Sequence, residues 1–178
     1  MERTNRKMKA EAEREPGALR GKLKIFLGYA AGVGKTRAML EFASRQMRAG
    51  ADVVVGCIDT HGQGELEQLK ALLVCGEIQT SSRVSGLDLD SLLLRRPALV
   101  VVDDLAFTNP PEFRHRRRFQ DVEELLAAGI DVLTTLNIFQ LESLKDVIFQ
   151  ITGQKVIETV PDWIFEQAAE IALVDIPP

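Results

Sequence analysis

Residues 23–40 constrain this chain more than any other stretch, because the apolar run "LKIFLG" feeds directly into "YAAGVGKTRAML". A glycine-rich turn by itself is common. One that lies between a buried strand and an amphipathic helix, and ends Gly-Lys-Thr, reads as a phosphate-binding loop. Its glycines let backbone amides turn inward around phosphate oxygens, and the following helix aims its positive amino end at them. In that reading the backbone of Gly32, Val33 and Gly34 forms the cradle. Lys35 reaches the β- and γ-phosphates, and the Thr36 hydroxyl ligates Mg²⁺. Tyr29 is the irregular member, since the usual spacing places glycine or alanine there. The start of such a loop bends sharply, so a tyrosine narrows the entrance or strains the turn.

The rest of the chain repeats the same punctuation. Short apolar runs at 23–27, 52–58, 98–102, 131–135 and 171–174 read as strands, with helix-patterned stretches between them. Four of these runs lack polar alternation, as strands covered on both faces do. Phe119, Val122, Leu125 and Leu126 fall on one helix face, as do Leu141, Leu144, Val147, Ile148 and Ile151. Gly50 and Gly129 each follow a helical run and precede a strand, where a left-handed cap belongs. This alternation implies right-handed crossovers and an α/β fold: a mostly parallel sheet of about five strands flanked by helices. Strand order is not readable from it. Residues 1–20 stand apart, nearly all charged or small, and read as a flexible tail ahead of one domain over 21–178.

In sheets of this kind ligands bind beyond the carboxyl ends of the strands. The third run ends "ALVVVDD", so Asp103 stands where a carboxylate holds the metal directly or through water. Asp104 beside it either polarises the attacking water as a general base or forms the turn that ends the strand. Asp59, Thr60 and His61 close the second run, and Thr135 and Asn137 the fourth. These polar groups converge on one crevice, to sense the γ-phosphate or position water, or else they cap the next helix. The basic run "RHRRRF" offers Arg114 or Arg118 as a cation for the γ-phosphate, in the same chain or on a neighbouring subunit. Asp104, Asn137 and Arg114 are thus the catalytic candidates, and Thr36 with Asp103 the metal ligands. His61 and His115 lack the third ligand a zinc site needs.

Composition excludes several classes. At 178 residues and 46% hydrophobic content, the chain buries one substantial core. A net charge of −4 argues against nucleic acid as a partner. Cys57 and Cys75 have no metal-ligand spacing and read as reduced thiols of a cytoplasmic protein. No apolar stretch approaches the roughly 18 residues that span a bilayer, so membrane insertion is not expected.

Several segments together carry a family resemblance: "GKLKIFLGYAAGVGKTRAML", "DVVVGCIDTHG", "LVVVDDLAFTNPPEFRHRRRFQDVEELLAAGIDVLTTLN", "LESLKDVI", "ITG" and "ETVPD". They resemble the amino-terminal cytoplasmic domain of the KdpD family, membrane sensor histidine kinases that control high-affinity potassium uptake in bacteria. The likeness runs from about residue 21 to 178. It implies a P-loop NTPase-like fold, ATP with Mg²⁺ as ligand, and a regulatory task in a two-component system. Nucleotide binding would tune a protein partner, the sensor kinase core or another Kdp component. The chain has no phospho-accepting histidine region, so it is not expected to be a histidine kinase by itself. The family usually has a small residue at Tyr29, glutamate at Asp104, histidine at Phe107, and Gln-His at Phe139-Gln140. Groups that hold nucleotide are kept, while groups that handle water are shortened, moved or replaced. Weak or absent hydrolysis is the expectation, with a small ATPase or P-loop phosphotransferase as the alternative.

Overall fold

The computed structural model describes residues 20–58 and 86–175. Asp59, Thr60, His61, Cys75 and residues 1–19 of the charged tail lie outside the described residues. Five strands form one all-parallel sheet: β1 (Leu23–Gly28), β2 (Val53–Cys57), β3 (Leu99–Val102), β4 (Asp131–Asn137) and β5 (Glu170–Leu173). Their order is β2-β3-β4-β1-β5. Around them lie α1 (Lys35–Arg48), α2 (Leu89–Arg95), α3 (Arg118–Ala127), α4 (Lys145–Thr152) and α5 (Asp162–Glu166).

Because side chains alternate across a strand, each apolar run feeds two cores at once. Leu23, Ile25 and Leu27 of β1 join Val100, Val102, Val132 and the α3 residues Val122, Leu125 and Leu126 on one face. Phe26 joins Val101, Leu133 and the α1 residues Met39, Leu40 and Ala43 on the other. Unbroken apolar runs are what a sheet covered on both sides requires. The two cap glycines behave as expected: Gly50 and Gly129 follow α1 and α3 with φ of 93° and 84°. Asp88 starts α2 by accepting from the Ser91 N–H at 3.1 Å.

One expected helix differs. The stripe from Leu141 to Ile151 does not pack as a single helical face. A 3-10 turn, Ile138–Gln140, precedes it, a second, Glu142–Leu144, takes up its start, and α4 buries none of its residues. Leu141 is drawn into the core because the chain there pairs with Val160, which sets the turns apart from the helix that follows. Among the described residues β5 is an edge strand that pairs only with β1, and it leaves Ile171 and Leu173 exposed.

Candidate functional site

β1 runs into the glycine loop and then α1. At Gly28 a Cβ would fall 2.6 Å from Val33 Cγ2 and 2.9 Å from Lys35 Cδ, so a bare backbone is needed there. Gly32 and Gly34 take φ of 83° and 95°, a region that side chains strain to enter. Among the described residues nothing lies within 4 Å of where their Cβ atoms would stand, which leaves room beside the loop at both positions. Lys35 is buried, and its Nζ donates to the Ala30 carbonyl at 2.6 Å. Burial pulls its pKa below the ordinary lysine value, opposed by the charges of Asp103 and Asp104. Tyr29 is 53% exposed, so its ring stands largely in solvent at the entrance to the loop.

The strand order decides what faces the loop. β4 lies between β1 and β3, with Phe26 opposite Thr135 and Gly28 opposite Asn137. Val102 pairs with Thr134, which sets Asp103 level with Thr135. Thr135 Oγ1 donates to Asp103 Oδ1 at 2.5 Å, and Thr36 Oγ1 lies 3.3 and 3.1 Å from the two oxygens of the same carboxylate. The Asp104 N–H donates to Asp103 Oδ1 at 3.1 Å and to Thr135 Oγ1 at 3.0 Å. Behind them Arg118, buried and stacked 4.0 Å from the Phe107 ring, donates to the Asp103 carbonyl at 2.8 Å. A buried arginine is tolerated because its charge meets a carbonyl, a ring face and nearby carboxylates.

Asp104 turns the chain with φ of 53°, a conformation aspartate accepts more readily than most residues. Burial raises its pKa; Arg118 opposes this, while Glu158 and Asp103 add to it. The side chain therefore sits among Arg118, Glu158 and Asp103. Asn137 donates from its backbone and side-chain nitrogens to Gln140 Oε1 at 2.9 and 3.1 Å. Its Oδ1 is buried and has no hydrogen-bond partner among the described residues.

The structure thus gathers Lys35, Thr36, Asp103, Asp104 and Thr135, with Asn137 beside the start of the loop. Arg114 is engaged elsewhere: its guanidinium pairs with Asp90 of α2 and Glu124 of α3. Geometry favours that outcome, because Arg114 stands in the loop before α3 while Arg118 opens the helix itself. Gln140, Arg117 and Glu158 escaped the sequence reading as site residues. The basic run held Arg117, the "ETVPD" segment Glu158 and the stretch after "TLN" Gln140, yet none of these patterns says which member turns inward.

Thr36 Oγ1 and the Asp103 oxygens stand 3.1 and 3.3 Å apart. Adjacent ligands on an octahedral Mg²⁺, bound at 2.0–2.1 Å, would be about 2.9 Å apart. The pair needs little adjustment to share such an ion. Among the described residues no three His, Cys, Asp or Glu side chains form a metal cluster.

An all-parallel α/β sheet of P-loop-like class, with its polar groups at the strand ends, is the class this fold defines. The osmosensitive K⁺ channel His kinase sensor domain family, KdpD, matches residues 19–178, and the chain belongs to it. It is 51% identical over 163 residues to Sensor protein KdpD of Escherichia coli (strain K12), covering 89% of this chain and 18% of that protein. The Sensor protein KdpD of Clostridium acetobutylicum is 45% identical, with the same shares covered. That of Mycobacterium tuberculosis (strain H37Rv) is 44% identical over 89% of this chain and 19% of its own length. The chain therefore spans under a fifth of the length of these curated relatives. No helix among the described residues is long and apolar enough to cross a membrane.

Proposed function

We propose that this domain binds ATP with Mg²⁺ and uses the bound nucleotide to regulate a protein partner in a potassium-responsive, Kdp-type signalling system. The observation that supports it best is the meeting of the open glycine loop with the Thr36–Asp103 pair. Backbone N–H groups of residues 32–34 and the amino end of α1 would hold phosphate oxygens. Lys35 would exchange its Ala30 carbonyl for the β- and γ-phosphates, a favourable trade for a buried cation. Thr36 and Asp103 would hold Mg²⁺, which neutralises phosphate charge, while Thr135 keeps the Asp103 carboxylate oriented.

Hydrolysis would be slow. Asp104 is engaged with the Ala106 backbone N–H and faces Arg118 and Glu158, which leaves little freedom to orient a water. The partner is the remainder of a longer sensor protein or another component of the same system, since the named relatives are sensor proteins several times longer than this chain.

Calorimetric titration of ATP, ADP and AMP with Mg²⁺ tests the reading on the native chain and on Lys35→Ala. Binding is expected in the first and loss of binding in the second; equal affinities overturn it. Phosphate release in the same samples should stay well below about 1 s⁻¹, the low end of ordinary enzyme rates.

A further inference from the structure

A short strap, residues 158–160, is hydrogen-bonded to both loops that leave the carboxyl ends of β3 and β4. On the β3 side Glu158 Oε1 accepts from the Thr108 backbone N–H at 2.7 Å. Arg117 donates from one guanidinium nitrogen to the carbonyls of Thr159 and Ala106. Thr108 and Arg117 also form an antiparallel bridge, which closes the base of the loop between them. On the β4 side the Val160 N–H donates to the Gln140 carbonyl at 2.7 Å, and the Glu142 N–H donates to the Val160 carbonyl at 3.0 Å. Gln140 is the residue that accepts both nitrogens of Asn137.

Beyond the strap the chain enters α5, where Trp163 meets Phe119 edge-on with ring centroids 6.4 Å apart. Phe119 directly follows Arg118, the donor to the Asp103 carbonyl. The only tryptophan in the chain is therefore linked to the loop after β3 twice, through Thr108, Glu158 and the strap that leads into α5, and through Arg118 and the Phe119 ring contact.

We propose that Glu158 and Arg117 are coupling residues outside the nucleotide contacts: they tie the loop that carries Asp104 to the strap, and they pass nucleotide-dependent movement of that loop to Trp163. The inference rests on the nucleotide reading above and extends it to residues 50 or more positions from the glycine loop. Three of the bonds are charge-assisted, a carboxylate on one backbone N–H and a guanidinium on two carbonyls, and such bonds are stronger than neutral ones. Asp104 also needs support from its surroundings, because a positive φ persists only where neighbouring structure enforces it. A phosphate and cation arriving at Asp103 would change the charges felt by Asp104 and Arg118. The bonds from Arg117 and Glu158 would carry that change to the strap.

The experiment titrates Mg·ATP into the full 178-residue chain, with calorimetric heat and tryptophan emission followed in parallel. The wild type should give binding heat and a saturable change in Trp163 emission over the same concentrations. Glu158→Ala should keep the heat and lose most of the emission change. Glu158→Gln keeps an acceptor oxygen for Thr108 and should retain both. Arg117→Met should behave as Glu158→Ala and serves as the second variant if the first does not fold. Wild-type heat without an emission change overturns this proposal and leaves the nucleotide reading standing. An undiminished emission change in Glu158→Ala or Arg117→Met also overturns it. Absence of heat in the wild type overturns both readings together.

Discussion

Helices α3 and α4 invert what hydropathy would assign to them. On its inner face α3 buries Arg118 and Asp121 beside Val122, Leu125 and Leu126. By contrast α4 carries Val147, Phe149 and Ile151 and buries nothing; Ile151 is 76% exposed. The difference comes from neighbours. Across from α3, β3, β4 and the loop from Asp103 to Arg117 supply an apolar floor, a carbonyl for Arg118, and the Asn109 amide, which donates to Asp121 at 2.6 Å. Among the described residues no such floor lies under α4, which follows two 3-10 turns and buries none of its side chains. An apolar stripe shows what a helix offers; the opposing surface decides whether the offer is taken.

Leu125→Ala should have the largest effect on this contrast. It removes a wholly buried side chain from the sheet–α3 core and should cost about 3 kcal/mol, read from urea denaturation. A loss below about 1 kcal/mol would mean that the α3 interface is loosely packed.

Asp121→Asn should have a smaller, pH-dependent effect. Burial raises the Asp121 pKa above 3.8, with the Asn109 hydrogen bond, His115 and Arg118 opposing. The native state therefore holds a proton that the unfolded chain has already released. Stability then falls as pH rises from the ordinary carboxyl value through the raised native one. Asparagine keeps an acceptor for the Asn109 amide and cannot ionise, so the fall across that window should shrink. It should not vanish, because Asp104 is raised in the same direction. Denaturation midpoints at a series of pH values give the slope, and an unchanged slope would place the titration elsewhere.

Ile151→Ser should change least. On an exposed face the substitution should shift stability by no more than about 0.5 kcal/mol. A loss above about 1.5 kcal/mol would show that the outer face of α4 is covered and would erase the contrast with α3.

Much of the fold could be read from residues whose role is local. Gly50 and Gly129 end helices because a left-handed cap needs no partner outside the turn. The strands came through because runs such as "ALVVV" suit two covered faces wherever they lie in the sheet. Strand order, the inward turn of Arg118 rather than Arg114, and the bond from Glu158 to Thr108 were not legible. Each depends on segments that meet across many residues, and a single sequence carries no periodic trace of such meetings. The Leu141–Ile151 stripe misled for the same reason: its spacing is helical, but pairing with Val160 claimed Leu141 first.

The place of β4 has a further consequence. The glycine loop and Asp103 leave strands that are not neighbours, so the backbones of β1 and β3 are two strand spacings apart, roughly 10 Å, a span that side chains such as Thr36 reach across. In that gap β4 acts as a gauge block. A bulge or a bulkier residue in the middle of β4 would widen or tilt the jaws without replacing Lys35, Thr36 or Asp103. The grip of such a site can thus be retuned from the strand in the middle, leaving both jaws unchanged.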